Sequence, residues 1–325
     1  MKKFVNLMVV GLVALTFVGA QPLFEKRPSD APLPVKLAVM AGPTGFSSVA
    51  LAENEGMISD SVKVEMTVYP SPNEVIARLA NGELDMACLP TNVAANLYNK
   101  GVKVKLAAVI GNGMMSVIST DFSAKEVSDL LAQRVHIPGA GSTPDQLSQL
   151  LLREAGLVSG VDIILDYSVA APAQVAQMLI AAKISFAVLP QPFVSMVLGK
   201  NPKAFVIADI QNLYKEYVGA SNYPMTVLVV SEKFVQTYPL VTQSVLDAYK
   251  NSVAWVNANP EEAGEAIEKA GIMNAAMATP AIPYCNLVYV PAQDAKGEVD
   301  RFFSSLMAFS SASIGGKLPG SDFYL

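Results

Sequence analysis

From residue 35 onward, short apolar runs alternate with longer stretches whose apolar positions recur at helical spacing. VKLAVM (35–40) is a near-continuous apolar run, which predicts a buried strand; AGPTGF and a helix-like SVALAENEG follow. KVEMTVY (63–69) alternates as a strand does, and a helix is expected over 72–81. LDMACL (84–89), a helix over 91–99 and VKLAAVI (104–110) complete a βαβαβ series. MMSVIST (114–120) is another strand, after which the alternation restarts. A helix over 124–132, RVHI (134–137), a helix over 145–155, DIILDY (162–167) and AFVIADI (204–210) belong to this second series. MTVLVV (225–230) is the next strand, and the remainder is expected to be mainly helical, with helices over 239–258 and near 296–311. This order predicts an α/β fold of mostly parallel sheets flanked by helices.

Two stretches match each other at a constant offset. PNEVIARLANGELDMACLP (72–90) and PAQVAQMLIAAKISFAVLP (172–190) share Pro72, Val75, Leu79, Ala87, Leu89 and Pro90 with Pro172, Val175, Leu179, Ala187, Leu189 and Pro190. Each reads as an amphipathic helix, a polar turn, a buried strand and a Leu-Pro stop. Coincidence between two amphipathic αβ units is the alternative, but the gapless offset favours two related lobes. The strands at 114–120 and 225–230 flank the second series and are the natural crossings between lobes.

The first residues change the picture of where the chain works. Lys2 and Lys3 precede an apolar run from Phe4 to Ala20 that ends in Val18-Gly19-Ala20, the pattern of a cleaved leader over 1–20. An uncleaved anchor is the other reading. Residues 21–34 are proline-rich and polar and read as a tether. Without the leader, 21 Lys+Arg face 28 Asp+Glu, a net charge of −7. Such an acidic chain is a poor partner for nucleic acid. His136 is the only histidine, so His-based metal clusters and Ser-His-Asp triads lack material, and no catalytic residue, metal or cofactor is expected. Cys88 and Cys285 are read as two buried thiols or as one disulfide.

In open α/β sheets, ligands bind where strands end and helices begin. Four loops hold that position: Gly42, Thr44, Gly45, Phe46 and Ser47 after the first strand; Pro90, Thr91 and Asn92 after the third; Gly141, Ser142 and Thr143 after RVHI; Gln191 and Phe193 after the second repeat copy. Tyr223 joins them as a further candidate. Glycines permit close approach, and Ser or Thr at a helix start offers a hydroxyl beside free N–H groups. Each also has a plain structural role as a cap or tight turn. Arg78, Arg134, Arg153 and Arg301 lie off these loops, so no bidentate clamp for a carboxylate is visible. The mixture suits a neutral or heterocyclic ligand, or a small anion held by helix N-termini, with Phe46 and Phe193 covering it.

GPTGFSSVALAENEG (42–56), ANGELDMACLPTNVAANLYNKG (80–101), PGAGSTPDQLSQLLL (138–152), VLPQPFVSMVL (188–198) and GGKLPGSDFY (315–324) resemble the periplasmic solute-binding proteins of ABC importers, in the sulfonate-, nitrate- and thiamine-pyrimidine-binding group. The resemblance implies a two-lobed type II periplasmic-binding-protein fold: lobe 1 from 35–118 and 224–325, lobe 2 from 119–223, with two crossing strands as hinge. It further implies an exported, monomeric, non-enzymatic receptor that hands a small-molecule solute to a membrane permease driven by a cytoplasmic ATPase. Two alternatives stand beside it: a thiamine-pyrimidine-type enzyme on the same fold, and an exported sensor or adhesion module.

Overall fold

The computed structural model describes residues 31–325, and Pro32–Leu325 forms one compact unit. The expected leader and most of the expected tether lie outside the described residues. β1 (Leu33–Met40) leads into α1 (Pro43–Ser48), followed by β2 (Met57–Ser59), β3 (Val62–Tyr69), α2 (Pro72–Ala80), β4 (Met86–Pro90), α3 (Thr91–Asn99) and β5 (Val104–Asn112). The second series holds β6 (Met115–Ser119), β7 (Arg134–His136), α4 (Thr143–Glu154), β8 (Ile164–Asp166), α5 (Pro172–Ile180), β9 (Phe186–Pro190), α6 (Phe193–Lys200), β10 (Phe205–Asp209) and α7 (Ile210–Val218). β11 (Pro224–Ser231), α8 (Glu232–Thr237), α9 (Pro239–Ala258), α10 (Pro260–Lys269), α11 (Ala275–Ala278), β12 (Leu287–Pro291) and α12 (Ala292–Phe309) complete the chain.

Two sheets result, ordered β12-β5-β11-β4-β1-β3-β2 and β10-β6-β9-β7-β8. The αβ-series strands of each sheet share one direction, as the alternation predicts, but most hydrogen-bonded pairs are antiparallel. The reason is the return path. β11 inserts antiparallel between β4 and β5, and β6 inserts antiparallel between β9 and β10. The chain therefore passes from the first sheet to the second between Asn112 and Met115, and returns between Val218 and Pro224. Residues 115–118, grouped with lobe 1 from sequence, pair in the second sheet.

The central strands β4, β5, β6, β9 and β11 are covered on both faces, which is why they read as near-continuous apolar runs, whereas β3, β8 and β10 keep exposed positions. Along β4 the alternation is visible: Met86 and Cys88 face a cluster with α1 and α9, while Ala87 and Leu89 face the cluster that continues into the second sheet. In β9, Phe186 and Val188 join that shared cluster, while Ala187 and Leu189 pack with α5 and α6. The repeat copies fold alike. Pro72 and Pro172 start α2 and α5, where a missing N–H removes nothing from the helix. Val75 with Leu79, and Val175 with Leu179, bury the i, i+4 face of each helix.

Three local expectations differ. The helix expected through SVALAENEG is α1 followed by two short 3₁₀ turns, because Asn54 and Glu55 adopt positive φ. The helix expected over 124–132 is only a 3₁₀ turn at Val127–Leu130, ended by Ala132 at φ 60°. β12 falls in the region expected to be helical. Cys88 and Cys285 are both buried and unpaired. Among the described residues no helix is long and apolar enough to cross a membrane.

Candidate functional site

A cavity of about 840 Å³ opens where the two sheets face each other, lined from both αβ series. A second depression, about 290 Å³ beside Arg78 and Glu83, is much smaller and lies on one sheet only. The large cavity collects residues from all four loops singled out in the sequence: Thr44, Pro90, Asn92, Gly141, Ser142, Gln191 and Phe193. Strand-to-helix turns put them there. α1, α3, α4 and α6 each begin within a few residues of the strand that feeds them, so their first turns crowd one edge of each sheet.

Gly42 shows how closely the halves approach. Its φ of 101° and ψ of −149° are open to glycine alone, and a Cβ there would sit 3.7 Å from Pro192 Cδ on the opposite loop. Thr44 donates to Met40 O at 3.0 Å and accepts from Met40 N at 3.1 Å, which fastens the first turn of α1 to the end of β1.

Asn92 bridges the halves. Its Nδ2 donates to Gly141 O at 2.9 Å and to Ser313 O at 3.2 Å, and its Oδ1 accepts from Thr143 Oγ1 at 2.9 Å. Its backbone N–H donates to the same Thr143 hydroxyl at 3.2 Å. Gln191 takes the opposite course: its Oε1 accepts from Ser195 N and Ser195 Oγ, within its own helix start.

The loop before α4 is held by Asp145, a buried carboxylate that sequence reasoning did not select. Its Oδ2 accepts from Gly141 N at 2.7 Å, and its Oδ1 accepts from Tyr167 Oη and Gln149 Nε2, both at 2.8 Å. Burial, and then that hydrogen bond, raise the Tyr167 phenol above its ordinary range. The signal was present as Ser142-Thr-Pro-Asp145, the spacing of a helix-starting Ser and a first-turn acid.

Seven of the sequence candidates do not line the cavity. Gly42 and Gly45 shape the turn beneath it. Phe46 does not cover the cavity: two residues after Thr44 on a helix, its ring points the other way and is fully buried among Val35, Leu37 and Val49. Ser47 bonds Tyr249 Oη at 2.7 Å on that same far side. Thr91 is buried with no hydrogen-bond partner for its hydroxyl, and Thr143 is buried against Asn92. Tyr223 is enclosed by Tyr214 and Phe302 and packs on Gly113, between the two crossings.

Conversely, the loops before α2 and α5 line the cavity and were missed. Pro70–Asn73 and Ala170–Ala173 occupy equivalent places one hundred positions apart. The repeat itself was the available signal, because it begins at these loops. Met114 and Met225, one at each crossing, also line it.

His136, the only histidine, ends β7 and does not itself line the cavity, although Pro138, two residues on, does. The His136 Nδ1 lies 3.7 Å from Asp166 Oδ1. Hydrogen bonds from Ser168, then from Arg134, hold the Asp166 carboxyl well below the usual range.

Residues 31–271 match the NMT1-like family. The structure of an ABC transporter protein from Parabacteroides distasonis superposes with a TM-score of 0.76 at 29% identity, over 90% of this chain and 98% of that one. The periplasmic aliphatic sulphonate-binding protein SsuA from Escherichia coli does so with a TM-score of 0.71 at 15% identity, over 90% and 91%. For the periplasmic nitrate-binding protein NrtA from Synechocystis PCC 6803 the values are 0.62 and 15%, over 89% and 83%. No curated protein matches the chain. The matched stretch takes in both αβ series and the cavity loops between them, and the chain belongs to the NMT1-like family, built on the fold of periplasmic binding proteins.

Proposed function

We propose that this protein is an extracytoplasmic solute receptor of an ABC importer. It captures a neutral, heterocyclic or small anionic molecule between two lobes and presents it to a membrane permease paired with a cytoplasmic ATPase. The observation that carries this reading is the cavity of about 840 Å³, within the range of ligand-binding clefts and lined by equivalent loops of both series. The lobes are proposed to follow the two sheets, and the leader over 1–20 to direct export.

Capture works by population shift. A solute that touches both lobes only when they meet favours the closed form by its differential affinity. The Asn92 bridge to Gly141 and Thr143 adds protein–protein hydrogen bonds to that same form. The enzyme alternative finds less support, because His136, the histidine it would use, does not line the cavity.

Calorimetry of the purified protein against a panel of sulfonates, nitrate, pyrimidines and neutral compounds tests the reading. One-site binding is expected, weakened in a variant carrying Asn92→Ala with Ser142→Ala. An unchanged affinity in that double variant would overturn the site.

A further inference from the structure

The receptor reading leaves the solute open, and the cavity's own chemistry narrows it. Resting on that reading, we propose that the solute is an uncharged, predominantly apolar molecule of roughly drug size rather than a small anion.

Charge is the first argument. Among the described residues lining the cavity, Lys100 is the sole charged one, and it is exposed to solvent. An anion drawn inside would leave water for a wall whose one cation is solvent-exposed and screened, which is heavily penalised. The second argument is that most polar side chains in the wall are already engaged. Thr44 is bonded to Met40, Asn92 to Gly141, Thr143 and Ser313, Ser142 to Gly139 O, and Gln191 Oε1 to Ser195. What remains, the Ser71 and Asn73 side chains, the Gln191 amide nitrogen and the Thr226 hydroxyl, offers a few neutral hydrogen bonds and no charge.

Helix N-termini would be the usual substitute for a cation. Here Pro43, Pro72 and Pro172 occupy the first position of α1, α2 and α5, and Pro144 the second of α4; all four line the cavity. Each has its ordinary helix-starting role, yet each also removes one N–H and presents a pyrrolidine ring instead. The apolar wall is completed by Ile76, Val93, Phe193 and three methionines, Met40, Met114 and Met225. Methionine is unbranched and polarizable, and adapts to irregular apolar shapes. An anion of a few atoms would leave most of this volume as water against apolar surface.

The test uses N-phenylnaphthylamine, an uncharged apolar fluorophore, with nitrate and methanesulfonate as the opposing probes. The proposal expects one-site fluorescence enhancement that neither anion displaces and that added sodium chloride does not weaken. Ile76→Asp on α2 and Val93→Asp on α3 place a carboxylate in the wall, and should each weaken the fluorophore roughly tenfold or more. Both positions are only partly buried, and the two lie on different helices, so a folding failure of one leaves the other readable. Fluorophore binding unchanged in both variants overturns the proposal. Saturable binding of either anion without fluorophore binding overturns it too, while leaving the receptor reading standing. Failure of all probes, with no other compound of the calorimetry panel bound, sinks both.

Discussion

Pro90 and Pro190 end equivalent strands, yet the residues after them behave differently. After Pro90, α3 begins at once, and Asn92 reaches across to Gly141 and Thr143. After Pro190 the chain inserts Gln191 and Pro192, joined by a cis peptide, before α6 begins at Phe193. Gln191 then turns back onto Ser195 rather than across the cavity. The shared backbone pattern brings both turns to one cavity, while the two side chains after each proline decide which half supplies the bridge. A second contrast lies in the cores. Leu89 packs in the cluster common to both sheets, and Leu189 in a smaller one confined to β9, α5 and α6 with its neighbours.

That second contrast gives the largest expected effect. Leu89→Ala and Leu189→Ala both open cavities at fully buried positions, but the surroundings differ. Loss of about 3–5 kcal/mol is expected for Leu89→Ala and about 2–3 kcal/mol for Leu189→Ala, whose partly buried neighbours can relax into the space. Urea unfolding of the two variants checks the order. A larger loss at Leu189 would mean that the second sheet, not the shared cluster, limits stability.

The same contrast between local and non-local interactions explains what the sequence revealed. The repeat, the helix over 91–99 and the helix over 239–258 rest on periodicity and proline stops, which act within a few residues. Thr44, Asn92, Ser142 and Gln191 reach one cavity because strand-to-helix turns share an edge. β12 was hidden, since LVYVP becomes a strand only by pairing with β5, more than a hundred residues earlier. The break after α1 was hidden as well: Gly56, at φ 83°, packs directly on the Val64 carbonyl, a contact no local pattern announces. Phe46 failed for a different reason. Being in a cavity loop does not decide direction, and its place on α1 turns the ring into the opposite core. Asp145 accepts from Gly141 N four residues back, a local contact that the Ser142-to-Asp145 spacing signals, and from Tyr167 Oη twenty-two residues on, which no local pattern shows.

Removing the bridge is the next strongest intervention. Asn92→Ala leaves the Thr143 hydroxyl and the Gly141 and Ser313 carbonyls short of a partner, at about 1–3 kcal/mol. Gln191→Ala removes a contact inside one helix start and should lose about 0.5–1.5 kcal/mol. Solute affinity separates them further. Under the proposed capture by closure, Asn92→Ala should depopulate the closed form and lower apparent affinity even for solutes that never touch Asn92. Equal effects of the two variants on stability and on binding would erase the distinction between bridge and self-cap.

Cys88 stands where the second copy has Val188, so Cys88→Val writes one half's residue into the other. Burial pushes the Cys88 thiol from 9.0 up to about 12, with a hydrogen-bonding Tyr249 hydroxyl 3.3 Å away. The folded protein keeps a proton that the unfolded chain releases, so this contribution is complete below about pH 9 and declines as pH rises toward 12. The slope is up to about 1.4 kcal/mol per pH unit. Cys88→Val should therefore gain on the native protein between about pH 8 and pH 10 in urea unfolding, since all other alkaline groups are common to both. A constant difference across that range would show that the thiol stays undissociated in the unfolded chain as well.

The smallest effect is expected at the surface of the first copy. Arg78 Nη1 lies 2.8 Å from Glu83 Oε2, and its guanidinium lies 5.4 Å from the centre of the Tyr69 ring. The second copy has Met178 and Lys183 at these positions, and therefore no such pair. Both partners are 46% exposed, so water and salt screen the attraction and ordering two long side chains offsets much of it. Arg78→Met, which copies the second half, should change stability by only about 0–1 kcal/mol, and less at high salt. A loss above that range would mean that the Tyr69 contact anchors the start of α2, and with it the Pro70–Asn73 loop that lines the cavity. Solute affinity would then fall in parallel with stability, which the ion pair alone gives no reason to expect.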